Sequence, residues 1–349
     1  MKKGREEVSL FDFAYLGEGG ETYARLAGMA LPERWDFVGT EGRCYEILDN
    51  YLRFTFVRLE CENKVLVSDA GDFCAFNTGF VDESFEDIFA CFTPNRVPDK
   101  QPWFLEGFAA AGVDRLGDRL LRSFHDLPRR ARYLFKTEDV LYDVDQVPAF
   151  DYAHILIGNV DRLPEAFLER ELADNEEELA STKHAFGTKE RDARSDAFGA
   201  LAKLLKADPP RFQRLKDRID AIIRLSVKKV SWSWRWAVPI YYPGRDCVSL
   251  LLPLDLTEGE QPNIALVFER TQSGRYIGQT ILTAEMAYKD ARLIARPGAE
   301  WLDACFVQYD LRLRWEDRRE ADDKDEYARM RPLRFRRCLC RYREVWYRA

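Results

Sequence analysis

Helix-like and strand-like patterns are grouped along this chain rather than interleaved, and that grouping constrains the fold more than any motif does. From Pro164 to Leu225 the apolar residues recur at helical spacing. From Arg235 to Leu282 they alternate or run in blocks of strand length. A doubly wound fold needs strict βαβ alternation, which is missing. Strands in hairpin order with helices set apart predict an α+β fold built on largely antiparallel sheet.

Glu21 to Ala30 places Tyr23, Leu26, Ala27 and Ala30 on one helical face, and Pro32 stops that helix. Further helices are expected from Arg43 to Leu52, from Val113 to Tyr133 with a break at Pro128, and from Pro164 to about Ala180. Two more run from Ala197 to Lys206 and from Phe212 to Leu225, split by Asp208-Pro209-Pro210. Thr182 to Asp196 is polar and reads as a mobile loop or a long helical excursion. Thr283 is a fitting N-cap for a helix ending near Leu293.

Strands are expected over Leu52–Leu59, Lys64–Ser68 and Phe73–Phe76, the last two joined by an Asp69-Ala70-Gly71-Asp72 turn. Gly79 supplies a position where φ can be positive. Pro94 to Pro102 reads as a loop. Asp151–Ile157, Arg235–Tyr242, Val248–Leu254, Asn263–Glu269 and Tyr276–Leu282 read as strands, with Cys305–Trp315 and Leu333–Trp346 as the final two.

Apolar residues make up 46% of the chain and aromatic residues 13%, ample for a core. No apolar run approaches the roughly 20 residues of a membrane helix, and the start, Met1-Lys2-Lys3-Gly4-Arg5-Glu6-Glu7, lacks the apolar stretch of a signal peptide. The eight cysteines form no C-x-x-C pair, and Cys338-x-Cys340 is the nearest approach to paired zinc ligands. Reduced thiols, a cytoplasmic location and no membrane partner are the expectation. No metal ligand set is identified, and the cofactor is left unknown.

The net charge of −7 hides a gradient. Residues 1–100 carry 11 basic and 19 acidic residues, whereas residues 329–349 carry eight arginines against Glu344. A basic segment interleaved with Phe335, Tyr342, Trp346 and Tyr347 suits a polyanion; equally, charges on an edge strand block aggregation.

The chain has no Walker loop, no G-x-S-x-G elbow and no H-E-x-x-H motif. Gly17-Glu18-Gly19-Gly20 has a loose likeness to a phosphate loop but lacks its lysine. Of three histidines, His154 has the most suggestive neighbours. Asn159 and Arg162 follow it closely, and together they could put an imidazole, an amide and a guanidinium around an anion. The competing reading is a hydrogen-bonded core histidine. Lys228-Lys229-Val230-Ser231-Trp232-Ser233-Trp234-Arg235-Trp236 is the densest basic and aromatic run. Indoles stack on bases while lysine and arginine neutralise phosphate. If the segment is a strand, the three tryptophans share one face, which suits a core equally well.

Several ordered segments resemble a known family. They are Phe76-Asn77-Thr78-Gly79-Phe80, Phe150-Asp151-Tyr152-Ala153-His154-Ile155 with Asn159 and Arg162-Leu163-Pro164, Leu250-Leu251-Leu252-Pro253-Leu254, and the run from Tyr276 to Ile294. In this order they resemble an uncharacterised domain of bacteria and fungi that often sits C-terminal to a LOTUS (OST-HTH) or cold-shock domain. The resemblance covers roughly residues 22–305, and Tyr276 to Ile294 is its most specific part. Composition gives a possible sub-boundary near 94–102 and a basic β extension over 306–349, while the resemblance implies one large α+β domain over 1–305. It also implies a place in RNA metabolism, without an activity.

Three readings follow. In the first, the protein binds a phosphate-bearing single strand or nucleotide through Asn77, His154, Asn159, Arg162, Lys228, Lys229, Arg235 and Arg292, with Trp234 or Tyr276 stacking on a base. In the second, it is an RNA- or nucleotide-processing enzyme with His154 as general acid or base and Arg162 and Arg292 stabilising phosphate charge. In the third, it is a non-catalytic scaffold in a regulatory or defence complex whose acidic N-terminal third meets a basic protein partner. The first two require His154, Arg162, Arg292 and Asn77 to converge.

Overall fold

The computed structural model describes residues 8–304 apart from 18, 39–44, 135, 137–139, 147, 243–246 and 258–261. The expected strands over 305–315 and 333–346, the basic extension over 306–349, and Cys44, Cys305, Cys338 and Cys340 lie outside the described residues, as does Glu18 of the glycine-rich turn.

Two mixed, mostly antiparallel sheets of five strands carry the fold, so the α+β class holds. The first contains β1 (Ala14–Tyr15), β2 (Leu66–Val67), β3 (Cys74–Val81), β4 (Asp87–Pro94) and β5 (Trp103–Ala110), in spatial order β1-β5-β4-β3-β2. The second contains β6 (Ala149–Phe150), β7 (Val238–Tyr242), β8 (Cys247–Leu254), β9 (Ile264–Arg270) and β10 (Tyr276–Thr283), in the order β6-β10-β9-β8-β7. Only the short edge strands β1 and β6 pair in parallel, with β5 and β10. Residues 94–102 connect β4 to β5 within one sheet.

The helices are α1 (Leu10–Phe13), α2 (Gly19–Met29), α3 (Glu46–Cys61), α4 (Asp114–Ser123), α5 (Glu165–Glu171), α6 (Glu176–Gly187), α7 (Arg191–Ala207), α8 (Pro209–Trp232) and α9 (Ala284–Ile294). Strand alternation divides the side chains between cores. Phe76, Ala90 and Phe92 join a central core with α3 and α9, while Ala75, Phe89 and Cys91 pack with Leu120 of α4. In the second sheet Leu251 and Val267 face the central core. Leu250, Leu252 and Leu266 pack with Phe167, Leu201 and Ile219 of α5, α7 and α8. The result is layered: α4, first sheet, α3 with α9, second sheet, then α5 to α8. Each large apolar side chain buried in this way is worth about 1.5–3 kcal/mol.

The helix expected over Val113–Tyr133 ends at Ser123, the one expected from Pro164 to about Ala180 is divided between α5 and α6, and three further expectations need correcting. Leu52–Leu59 is not a strand, because α3 continues to Cys61. Ile47, Tyr51, Leu52, Thr55, Phe56 and Leu59 are all buried, a helical repeat that overrides the β-favouring Phe54, Thr55 and Val57. Asp151–Ile157 is not a strand either. After β6 the Asp151 carboxylate accepts from the His154 N–H at 3.1 Å, and a π-helical turn follows over His154–Gly158. Third, Arg235–Trp236 precede the strand, since α8 runs to Trp232 and a 3-10 turn covers Trp234–Trp236 before β7 begins at Val238. Thr182–Asp196 is largely helical, shared between α6 and α7. The Thr283 hydroxyl caps α9, accepting from the Met286 N–H at 3.3 Å.

Candidate functional site

His154, Asn159 and Arg162 do come together, but as a latch. The Asn159 amide donates to the His154 carbonyl at 2.8 Å, and its oxygen accepts from Thr280 Oγ1 at 3.3 Å. Arg162 Nη1 donates to Thr280 Oγ1 at 3.1 Å and to the Ile281 carbonyl at 2.9 Å. These bonds fasten the π-helical turn and the 3-10 turn over Val160–Arg162 to β10. The Phe150 ring packs where a Cβ on Gly278 would lie, so glycine is required there. The His154 ring itself is exposed and lies against Gly158. Tyr276 offers no stacking face: it is buried between Tyr142 and Phe268, and its hydroxyl accepts from the Asp143 N–H at 3.0 Å.

Asn77 belongs instead to the first sheet, and Arg292 to α9 in the central layer. Asn77 is buried on β3, donating to Asp87 Oδ2 at 2.8 Å and accepting from the Gly79 N–H at 2.9 Å. This holds a bulge where Gly79 has φ 80°, and the Tyr51 hydroxyl occupies the space a Cβ would need. Arg292 is caged by the rings of Trp35, Tyr51 and Phe80, 4.7 to 5.3 Å away. It donates to both oxygens of Glu33, at 2.6 and 2.9 Å. Burial alone would lower the Arg292 pKa, but the bond and charge of Glu33 outweigh it and hold the guanidinium above its ordinary range. Both side chains are spent on structure, so the expected four-residue anion pocket does not form.

The end of α8 is different. Trp232 is 90% exposed and Trp234 60% exposed, and Leu225, Lys228 and Arg235 are exposed beside them. The third indole is the structural one: Trp236 is half-buried, its ring lies 4.8 Å from Lys229 Nζ, and its carbonyl accepts from Trp301 Nε1 at 3.0 Å. The Arg235 guanidinium sits 5.5 Å from the Trp234 ring centroid. Among the described residues no carboxylate pairs with Lys228, Lys229 or Arg235. The sequence explains why, since residues 221–245 hold Arg224, Lys228, Lys229, Arg235 and Arg245 and no acid at all. Arg224 pairs with Asp220 just outside that stretch, at 3.2 Å.

The model of the family described as Domain of unknown function (DUF3825) matches residues 26–301. The chain belongs to that family. No curated protein and no solved structure matches it. The matched residues of the DUF3825 domain include the latch on β10, the Arg292 cage and the whole of α8.

Trp232, which the sequence left between a stacking indole and a core strand, and Leu225, which no motif singled out, are surface residues of the DUF3825 domain carried by α8 rather than by a strand. The acid-free stretch was the signal that could have found them. Beside the Arg292 cage lies a cleft of about 340 Å3 whose lining includes Glu33, Arg34, Tyr288, Arg296 and Asp303, a mixture of both charges. Among the described residues no group of three or more His, Cys, Asp and Glu is arranged to hold a metal ion. No helix among them is long and apolar enough to cross a membrane.

Proposed function

We propose that the protein, lacking the four-residue pocket, binds single-stranded RNA at the end of α8 instead, with Trp232 and Trp234 stacking on bases and Lys228, Lys229 and Arg235 neutralising phosphates. The observation that carries this reading is the pair of exposed indoles beside cations with no carboxylate partner. An isolated exposed tryptophan is ordinary, but two together amid unpaired positive charge fit a ligand with flat rings and an anionic backbone. The resemblance to domains found beside LOTUS and cold-shock modules favours RNA over DNA. The buried, free thiols of Cys74 and Cys91 suit a cytoplasmic setting.

The catalytic reading has less support. Arg162 and Arg292, its phosphate-stabilising groups, already have partners, and among the described residues no carboxylate pairs with the exposed His154 ring, Asp151 bonding only the backbone N–H. The test is a titration of tryptophan fluorescence with single-stranded and duplex oligonucleotides at several salt concentrations. Single strands should quench the signal, with log affinity falling by about 2–3 per decade of salt for three or four neutralised phosphates. Absence of binding, or binding indifferent to salt, removes the proposal.

A further inference from the structure

The hairpin between β3 and β4 ends on a phenylalanine for which the fold has no internal use. Phe85 is 73% exposed and has φ 64°, a region that bulky residues avoid. The turn holding it is well tied. Asp82 Oδ1 accepts from the Ser84 and Glu86 N–H groups at 2.8 and 3.0 Å, and the Asp82 carbonyl accepts from the Phe85 N–H at 3.0 Å. The Asp82 N–H in turn donates to the Glu86 carbonyl at 3.0 Å. The ring is therefore presented from a stiff stalk made of two eight-residue strands whose inner faces are core.

Charge surrounds the ring. Asp87 is answered by Arg130, whose Nε lies 2.7 Å from Asp87 Oδ1, but Glu83 and Glu86 are exposed and have no cationic partner among the described residues. A matching surface must offer exposed apolar side chains together with unpaired cations. The end of α8 offers both in Leu225, Trp232 and Trp234 with Lys228 and Arg235.

We propose that the Phe85 hairpin of one copy docks on the Trp232–Trp234 surface of a second copy, with Glu83 and Glu86 set against Lys228 and Arg235. The two faces differ, so the contact is head-to-tail and either propagates or closes into a ring. Held in place, the aromatic tip is preorganised for its socket, which is what a strained exposed ring can gain in return. The contact shares a surface with the proposed RNA site but does not rest on RNA binding; the two occupants would exclude each other.

Light scattering and sedimentation of the full chain, from micromolar to near-millimolar concentration and at low and high salt, test the proposal. Mass should rise with concentration and fall back with salt. Phe85→Gly, which the positive φ tolerates, and the double variant Glu83→Lys/Glu86→Lys should each weaken association at least about tenfold. The double variant Lys228→Glu/Arg235→Glu should weaken it too. An equimolar mixture of the two charge-reversed proteins should associate again, because a basic hairpin then meets an acidic socket. A wild type that stays monomeric throughout overturns the proposal, and so does association indifferent to these changes or a mixture that fails to recover. The Glu83→Lys/Glu86→Lys protein leaves the α8 surface intact, so its RNA affinity separates failure of this contact from failure of RNA binding.

Discussion

The two ends of α8 carry the same kind of residue in opposite states. Near the first turn Arg211 is buried. Its Nη1 donates to the Glu171 carbonyl at 2.9 Å and pairs with Asp174, and its Nε lies 3.1 Å from Glu178 Oε2, close but not aligned as a hydrogen bond. In the last two turns Lys228 is exposed and has no carboxylate partner among the described residues. One cation is a rivet between α5, α6 and α8, and the other is available to a ligand. Positive charge in a sequence says nothing about function until its partners are known.

The largest effect should come from the buried end. Arg211→Ala leaves Glu178 without its cation and should cost about 3 kcal/mol of unfolding free energy. The loss is bounded because an abandoned buried carboxylate takes up a proton instead. Lys228→Ala should stay within about 0.5 kcal/mol of the wild type. Urea unfolding of both variants checks this. Equal losses at the two ends would erase the distinction.

At the exposed end the effect should be on binding alone. Trp232→Ala and Trp234→Ala should each weaken single-stranded RNA binding by about 1–3 kcal/mol per stacked base, with the urea midpoint unchanged. Loss of stability without loss of affinity would make these indoles structural, as Trp236 is.

The sequence made some of this contrast legible. Apolar runs of strand length placed β8 to β10 well, and the Thr283 cap placed α9, because those signals are local and the tertiary structure agrees with them. It failed where burial decides. Phe54-Thr55-Phe56-Val57 favours a strand by composition, yet packing between sheet and helix gave α3. Arg162 and Arg292 resemble ligand-binding arginines in sequence. What spends them is Thr280 and Glu33, 118 and 259 residues away, pairings that no local pattern encodes. Lys228, Lys229, Trp234 and Arg235 needed only the absence of nearby acids, a feature the sequence does carry.

The pH dependence sharpens the comparison further, with a smaller effect. Burial holds the Glu178 carboxyl above its usual range, against the opposing charge of Arg211. The folded protein then binds a proton at Glu178 more readily than the unfolded chain does. The stabilisation from this group is full below the unfolded value and is lost as pH rises through the folded one. Glu178→Gln removes that slope. Relative to this variant the wild type should lose stability from about pH 4 towards neutrality, measured as urea midpoints across the range. A difference that grows in the opposite direction would mean that Arg211 dominates and the carboxylate is favoured.

His154→Ala should have the smallest effect of all, and its value lies in that. The latch uses the backbone N–H and carbonyl of His154, which alanine keeps, and the exposed ring contributes only its contact with Gly158. Stability should stay within about 0.5 kcal/mol, and RNA affinity should not change, because the binding groups proposed here lie at the far end of α8. A hydrolysis assay on labelled single-stranded RNA, run beside the binding titration, decides what the ring does. If wild type turns RNA over and the alanine variant binds it equally but does not, then the exposed imidazole is chemistry rather than surface, and the end of α8 becomes the place where an enzyme holds its substrate.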